Sequence, residues 1–390
     1  MPNVTTPEPF TIAIPDAALT DLHRRLDQVR WPAGEIPDSH WDYGSNVAYI
    51  KQLVEYWRTQ YDWREQERRM NQWPHFMATV EGQRIHFLHI KGKGPKPLPL
   101  IISHGWPGSF YEFMEAVGPL SDPAAHGGDP ADAFDLVVPS LPGYGFSAPT
   151  REHQVNITRM ADWFATLMTD ALGYTQYGAQ GGDWGSMVTS RLGFAYPKNI
   201  VGIHLNMVGV APHPANRQDL STAEKAWIEE MGSWQHDETG YQAIQGTKPL
   251  TLAYGLNDSP VGLCAWIVEK FRSWSDCDGD PERSYSKDQL LTNVMIYWLT
   301  QTIHSSSRLY YEERHHPWRL GREEKISVPT GFAAFPKELA RPPREWAERA
   351  YNVTHWTEMP AGGHFAAMEQ PALLVKDIRT FFRGVRDVGG

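Results

Sequence analysis

The sequence predicts an α/β fold: a mostly parallel central sheet flanked by helices, with a helical cap inserted into it and a strap at the N-terminus. Three observations lead there. Short β-rich runs alternate with helical stretches from Phe76 to Val210, and the alternation returns after about residue 321. Between these two parts, residues 211–320 are mostly helical in pattern and rich in Trp and Tyr. Finally, the stretch Tyr177-Gly178-Ala179-Gln180-Gly181-Gly182-Asp183-Trp184-Gly185-Ser186 reads as a strand end, a tight turn and a helix start. The expected division is a strap over 1–75, a core over 76–210 and 321–390, and a cap over 211–320.

Composition sets the bounds. The chain has 390 residues, room for one large domain with an insertion or for two domains. Hydrophobic residues make up 41% and charged residues 21%, so a packed core is feasible. The net charge, 36 − 46 = −10, argues against non-specific binding to nucleic acid or acidic membrane, which needs a basic face. The two cysteines, Cys264 and Cys277, build neither a disulfide framework nor a metal site. His315-His316 lacks further ligands at metal spacing and reads as surface, so neither metal nor cofactor is expected. Met1 to Phe10 shows no signal peptide and no stretch of about 18 apolar residues occurs, so the cytoplasm is the expected compartment. A homodimer is compatible with the sequence, and the expected partner is a small molecule.

Taken in order, residues 11–30 read as a short strand and then a helix from about Asp16, with Leu19, Leu22, Leu26 and Val29 at helical spacing. Trp31-Pro32 stops it. Residues 46–72 carry a second helix, and the charge run Arg64 to Arg69 reads as a solvated face. Phe76–Val80 and Arg84–Ile90 flank Glu81-Gly82, a hairpin signal. Pro99–Ser103 is a buried strand ending at His104-Gly105-Trp106-Pro107-Gly108, followed by a helix with Phe110, Phe113 and Met114. Phe134–Pro139 is another strand, Met160–Leu172 a helix, Thr175–Gln180 the strand into the turn, Ser186–Tyr196 its helix and Ile200–Asn206 the next strand. Ser259–Trp274 and Lys287–Thr302 are helical, Ser327–Ala333 and Asn352–Thr357 strand-like, and Phe365 to Phe382 a last helix.

The turn around Asp183 carries the chemistry. Gly181 and Gly185 stand two positions either side of it, the small-x-nucleophile-x-small pattern of a nucleophile elbow. The central residue is Asp rather than Ser. A carboxylate is an anion at neutral pH and attacks without a base removing its proton. It suits displacement at saturated carbon, giving an ester that a His-activated water then hydrolyses. By itself the motif fits an Asp that caps the following helix. The order of the remaining residues changes that. The α/β-hydrolase fold runs nucleophile, acid, His. Gly362-Gly363-His364 supplies the His as general base, and Phe335-Pro336-Lys337-Glu338 offers Glu338 to orient it, with Glu345 as fallback. Backbone N–H groups of Trp106 and Trp184 are the candidate oxyanion hole.

The pieces resemble a microsomal-type epoxide hydrolase, in particular its soluble microbial members. They are Trp31-Pro32, His104-Gly105-Trp106-Pro107-Gly108-Ser109, Gly181-Gly182-Asp183-Trp184-Gly185-Ser186, Asn257-Asp258-Ser259-Pro260-Val261-Gly262-Leu263, Phe335-Pro336-Lys337-Glu338 and Gly362-Gly363-His364-Phe365, spread over nearly the whole chain. Membrane-bound members carry an N-terminal anchor, and no such run opens this sequence. Some soluble members act in secondary metabolism. The resemblance implies two cap tyrosines that hydrogen-bond the epoxide oxygen. Tyr241 matches the first and Tyr310 the second, fitting the register better than Tyr311. A phenol donates to the alkoxide of an opening ring. Epoxide hydrolysis to a vicinal diol is therefore the expected activity. Haloalkane dehalogenation, with Trp184 as a halide donor, and a non-catalytic binding protein on the same fold are the alternatives. The paired tyrosines argue against the first and the full Asp183, Glu338, His364 set against the second.

Overall fold

The computed structural model describes residues 3–386 apart from Glu35 and Asp38. Expectations that reach Met1, Pro2, Glu35, Asp38 or the last four positions lie outside the described residues. The described strands are β1 Glu8–Phe10, β2 His75–Val80, β3 Gln83–Ile90, β4 Leu98–Ser103, β5 Phe134–Pro139, β6 Tyr177–Gly181, β7 Ile200–Leu205, β8 Ile326–Ala334 and β9 Tyr351–Glu358. They form one sheet in the order β1-β2-β3-β5-β4-β6-β7-β8-β9. The pairs from β5 across to β9 are parallel, and β1, β2 and β3 add an antiparallel edge. This is the α/β-hydrolase arrangement.

Sequence explains the centre directly. A parallel strand covered by helices on both faces reads as a continuous apolar run. Leu100-Ile101-Ile102 of β4 and Leu136-Val137-Val138 of β5 are such runs, and all six side chains are buried. Each contributes roughly 1.5–3 kcal/mol of apolar burial. At the edge, Glu81 and Gly82 both have positive φ, the backbone of a tight two-residue hairpin turn.

Three helices precede the sheet proper: α1 Asp16–Asp27, α2 Val47–Thr59 and α3 Trp63–Met70. Helices α4 Met114–Ser121, α5 Ile157–Thr166 and α6 Asp183–Ala195 follow β4, β5 and β6. Between β7 and β8 the chain leaves the sheet for α7 Thr222–Glu238, α8 Gly240–Gln245, α9 Pro249–Leu256, α10 Pro260–Ser273, α11 Lys287–Thr300 and α12 Ile303–His315. It closes with α13 Arg344–Glu348, α14 Ala366–Glu369 and α15 Pro371–Arg383.

The inserted helices rest on loops at the C-terminal ends of strands. Asn293 of α11 donates to the carbonyl of Pro107 at 2.7 Å, and Tyr297 donates to that of Gly108 at 2.7 Å. Ser305 donates to the Gly143 carbonyl at 2.5 Å. The N-terminal segment straps both layers together. Its β1 joins the sheet, while Ser45 donates to the Ala265 carbonyl of α10 and Tyr56 to Asp288 of α11.

The structure corrects the expected elements at several places. The strand of the first segment lies at Glu8–Phe10, upstream of residue 11. The helix expected over 46–72 is two helices, because Asp62 takes the N–H of Arg64 and starts a new one. The run Arg64 to Arg69 is not wholly a solvated face. Glu67 is buried and accepts from the Ile14 N–H at 2.7 Å, and Arg64 pairs with both Glu67 and Asp16. The helix expected over Met160–Leu172 starts earlier, capped by Asn156, and its last turn, Leu167–Ala171, is a π-turn. The final helix breaks at Gln370-Pro371, where proline begins a new one.

Helix α15 is tied to the sheet by a buried polar cluster. Asp377 accepts from His204 at 2.9 Å, from His355 at 2.8 Å and from the Thr357 hydroxyl at 2.6 Å. Burial pushes its carboxyl up, but these donors outweigh burial and hold it at about 2. A carboxylate lowered on folding stabilises above its unfolded value of about 4, and that gain is lost as pH falls toward 2. Asp377→Asn is expected to cost ~2 kcal/mol at pH 7 in urea unfolding, with the gap to wild type closing between pH 4 and pH 2. A gap that stays constant over that range contradicts the assignment.

Candidate active site

Strand β6 ends at Gly181, Gly182 caps the next helix in extended backbone, and Asp183 follows with φ 49°. A non-glycine residue in the left-handed region is uncommon and strained. The flanking glycines are required by close approach. A Cβ on Gly185 would strike the Ser103 carbonyl at the end of β4, and one on Gly181 would strike the Gly185 carbonyl. The Asp183 side chain lies over Gly105, where a Cβ would occupy the position of its carboxylate.

The loop after β4 supplies the first contact. The Trp106 N–H donates to Asp183 Oδ1 at 2.8 Å. The Trp184 N–H lies in the first turn of α6, where backbone N–H groups lack helical partners. His104 is structural. Its Nε2 accepts the Leu141 N–H at 3.1 Å, so Nδ1 carries the proton and donates to the Gly105 carbonyl at 3.0 Å. Burial pulls it down to about 4, which keeps it neutral.

The other oxygen of Asp183 faces His364, with Nε2 3.3 Å from Oδ2. On its far side the His364 Nδ1–H donates to Glu338 Oε1 at 2.6 Å. His364 and Glu338 are 4% and 6% exposed. Burial pulls the imidazole pKa down, but the charges of Glu338 and Asp183 and their hydrogen bonds outweigh it and hold the pKa well above the ordinary value. Glu345 does not meet His364. It sits on α13 and accepts from Ser221 at 2.9 Å.

The His364 loop is clasped by the cap. The His364 N–H donates to the Trp274 carbonyl at 2.9 Å, and the Gly362 N–H donates to Asp276 at 2.9 Å. Glu369 closes the ring, accepting from Asp276 N–H at 2.8 Å and Phe365 N–H at 3.0 Å. No motif signalled this clasp, because its acids have no fixed spacing to the histidine.

Tyr241 of α8 and Tyr310 of α12 pack beside Trp106 and Trp184, near enough to feel the charge of Asp183. Their rings meet edge to face at 5.7 Å between centroids. Tyr241 stacks on Trp106 at 5.3 Å, and Tyr310 meets Trp184 at 4.7 Å. Burial raises both phenols far above their usual value, helped by the Asp183 charge at Tyr241 and by Tyr241 and then Asp183 at Tyr310, so both stay protonated. Tyr311 points elsewhere and stacks on His315 at 4.0 Å. His315 and His316 are exposed, and among the described residues no group of three or more His, Cys, Asp or Glu is placed to hold a metal.

Two cavities adjoin these residues. One of about 880 Å³ is lined by Trp184 and Tyr310, among others. A second, of about 10 Å³, has room for one water and is lined by Asp183, His364, Trp106, Asn206 and Glu112. Glu112 was missed in the sequence. Its one signal is a lone acid among Phe110, Tyr111 and Phe113. Burial, partly offset by His364, pushes its carboxyl up to about 8, so it is mostly uncharged at neutral pH.

Comparison with known proteins identifies the family and the fold. Residues 7–113 match the family described as epoxide hydrolase N terminus, and residues 99–262 match the alpha/beta hydrolase fold. Epoxide hydrolase 1 of Oryctolagus cuniculus is 38% identical, over 96% of this chain and 88% of that protein. The crystal structure of juvenile hormone epoxide hydrolase from the silkworm Bombyx mori superposes with a TM-score of 0.90 at 33% identity, covering 99% of this chain and 96% of that one. The Aspergillus niger epoxide hydrolase superposes with a TM-score of 0.86 at 32% identity, covering 98% and 97%. No helix among the described residues is long and apolar enough to cross a membrane.

The elbow leaves no room for a methyl group. Gly185→Ala is expected to destabilise the chain by ~2 kcal/mol or more, because its contacts are backbone carbonyls that cannot swing aside. A melting temperature within a degree of wild type contradicts this.

Proposed function

The chain belongs to the epoxide hydrolase family, and on that basis we propose that it opens its epoxide by covalent catalysis on Asp183. The observation that carries the reading is the orientation of the carboxylate: one oxygen is held by the Trp106 N–H while the other faces His364. Oδ2, the oxygen not held by the backbone, attacks a ring carbon. The carbon–oxygen bond of the ring breaks, and the released alkoxide takes hydrogen bonds and a proton from the Tyr241 and Tyr310 hydroxyls. The product of this half-reaction is a hydroxyalkyl ester of Asp183. We assign these two tyrosines to a cap spanning 211–320, over a core of 76–210 and 321–390 and braced by the strap of 1–75.

The second half follows from charge. In the free enzyme two carboxylates flank His364 and hold its proton. Esterification removes the charge of Asp183, so one of the two influences that raise the imidazole disappears and its pKa falls. His364 gives up its proton, which returns through solvent to the tyrosinate left by the first half-reaction, and the neutral imidazole becomes a base only after the ester has formed. A water in the small cavity beside Asp183 and His364 gives up its proton to Nε2 and adds to the Asp183 carbonyl carbon. The tetrahedral oxyanion takes hydrogen bonds from the Trp106 and Trp184 N–H groups, then collapses to expel the diol and restore the carboxylate. Glu338 keeps the imidazole in the correct tautomer and balances its charge. Glu112, mostly neutral, adds little repulsion against the attacking carboxylate.

The decisive experiment is a single turnover in H₂¹⁸O with enzyme in excess. Label is expected in Asp183 and not in the first diol released; label in that diol contradicts the ester route. His364→Gln is expected to accumulate the ester, seen by intact-protein mass spectrometry as an adduct of substrate mass, while Asp183→Ala yields neither adduct nor diol. Tyr241→Phe and Tyr310→Phe are each expected to lower kcat/KM by about 10²-fold, the scale of losing one donor to a developing oxyanion.

A further inference from the structure

The large cavity is where the body of the substrate belongs, since it shares Trp184 and Tyr310 with the reacting site. Its inner wall is apolar, with Met187, Val210 and Leu320. Its outer wall carries three arginines, Arg217, Arg314 and Arg319, all exposed. Among the described residues none of the three forms an ion pair with a carboxylate within 4 Å. Arg217 donates to the Pro212 carbonyl at 2.9 Å and lies on the Trp346 ring, contacts that hold it in place without neutralising it. Burial and the like charge of Arg319 both lower its pKa, so the two cations stand close enough to repel. The acid in the lining, Glu313, is turned to the backbone N–H groups of Trp318 and Ile157 and forms no ion pair with Arg319; burial, partly offset by those bonds and by the Arg319 charge, pushes it up to about 7. His213, in the same lining, accepts the Ala215 N–H.

A chain with a net charge of −10 thus presents a cluster of unneutralised cations at the mouth of the pocket that leads to its reacting tyrosine. Clustered like charges are unfavourable until an anion joins them, and such a cluster steers anions toward the cavity. The spacing is set by one helix. Arg314 stands four residues after Tyr310 on α12, so the two side chains share a face one turn apart, about 6 Å along the axis. Gly246, also in the lining, lies directly under Arg314, where a Cβ would sit 3.0 Å from its Cδ.

Resting on the reading that this site hydrolyses epoxides, we propose that its preferred substrates are epoxides bearing a carboxylate at the far end of an apolar spacer, with Arg314 and Arg319 binding the carboxylate while Tyr310 holds the ring oxygen. An Arg–carboxylate pair is charge-assisted and often bidentate, which places the oxirane as well as retaining it. Arg217 completes the rim and adds to the attraction. The neutral ester of the same epoxide fills the same apolar wall but leaves the arginines unpaired.

The test compares cis-9,10-epoxystearic acid with its methyl ester, both below their aggregation concentrations, with styrene oxide as a third substrate. The acid is expected to exceed the ester in kcat/KM by about tenfold or more, with most of the difference in KM. In the double variant Arg314→Gln, Arg319→Gln the ratio is expected to fall toward one through a rise in KM for the acid. Arg314→Lys with Arg319→Lys, which keeps the charges, is expected to retain most of it, and raised salt to reduce it in the wild type. An acid no better than its ester, or a preference that survives the double Gln variant, overturns the proposal and leaves epoxide hydrolysis standing. Failure to turn over any of the three epoxides removes the underlying reading and this inference with it.

Discussion

The structure depends on one electrostatic arrangement: a buried imidazole between two carboxylates. His364 lies 3.3 Å from Asp183 and 2.6 Å from Glu338, almost wholly out of water. Taking three ionisable groups out of solvent costs several kcal/mol unless each is paired. The surroundings supply that pairing from separate parts of the chain. Asp183 sits at the end of β6 and Trp106 in the loop after β4, while the loop carrying Glu338 runs beside the His364 loop through the bridge of Lys337 to Gly363. Glycine appears where these loops touch, because a side chain at Gly105, Gly181 or Gly185 would drive them apart.

The cap is bonded to the same loops. Trp274 and Asp276 hold the histidine loop, and Asn293 and Tyr297 hold the loop that carries the Trp106 N–H. Tyr241 and Tyr310 are thereby set against the core by two hydrogen-bonded clasps and by a box of stacked and edge-on rings. The same burial that keeps water out keeps both phenols protonated. The strap strengthens the arrangement from outside, gripping α10 and α11 while its strand is stitched to the sheet edge.

Much of this was legible in the sequence, for physical reasons that differ by element. The buried runs of β4 and β5 announce parallel strands because both faces are covered. The elbow is legible because close backbone approach admits only glycine at two fixed offsets. Helix limits were less legible: the breaks at Asp62 and Pro371 depend on a cap and a proline inside long helical patterns. Glu67 looked like one more charge in a run until the structure turned it inward.

The sequence by itself determined the sheet, the inserted helices, the strained turn at Asp183 and the order of acid and histidine after it, since each is written in local spacing and residue size. Only the tertiary structure decided that Glu338 rather than Glu345 meets His364, and that Tyr310 rather than Tyr311 packs on Trp106 and Trp184. It alone put Glu112 beside the water-sized cavity and Asp276 and Glu369 behind the histidine loop. Neighbouring acids and phenols are chemically alike along the chain. They differ only in the direction the packed backbone gives them, and so in which charges they meet away from water.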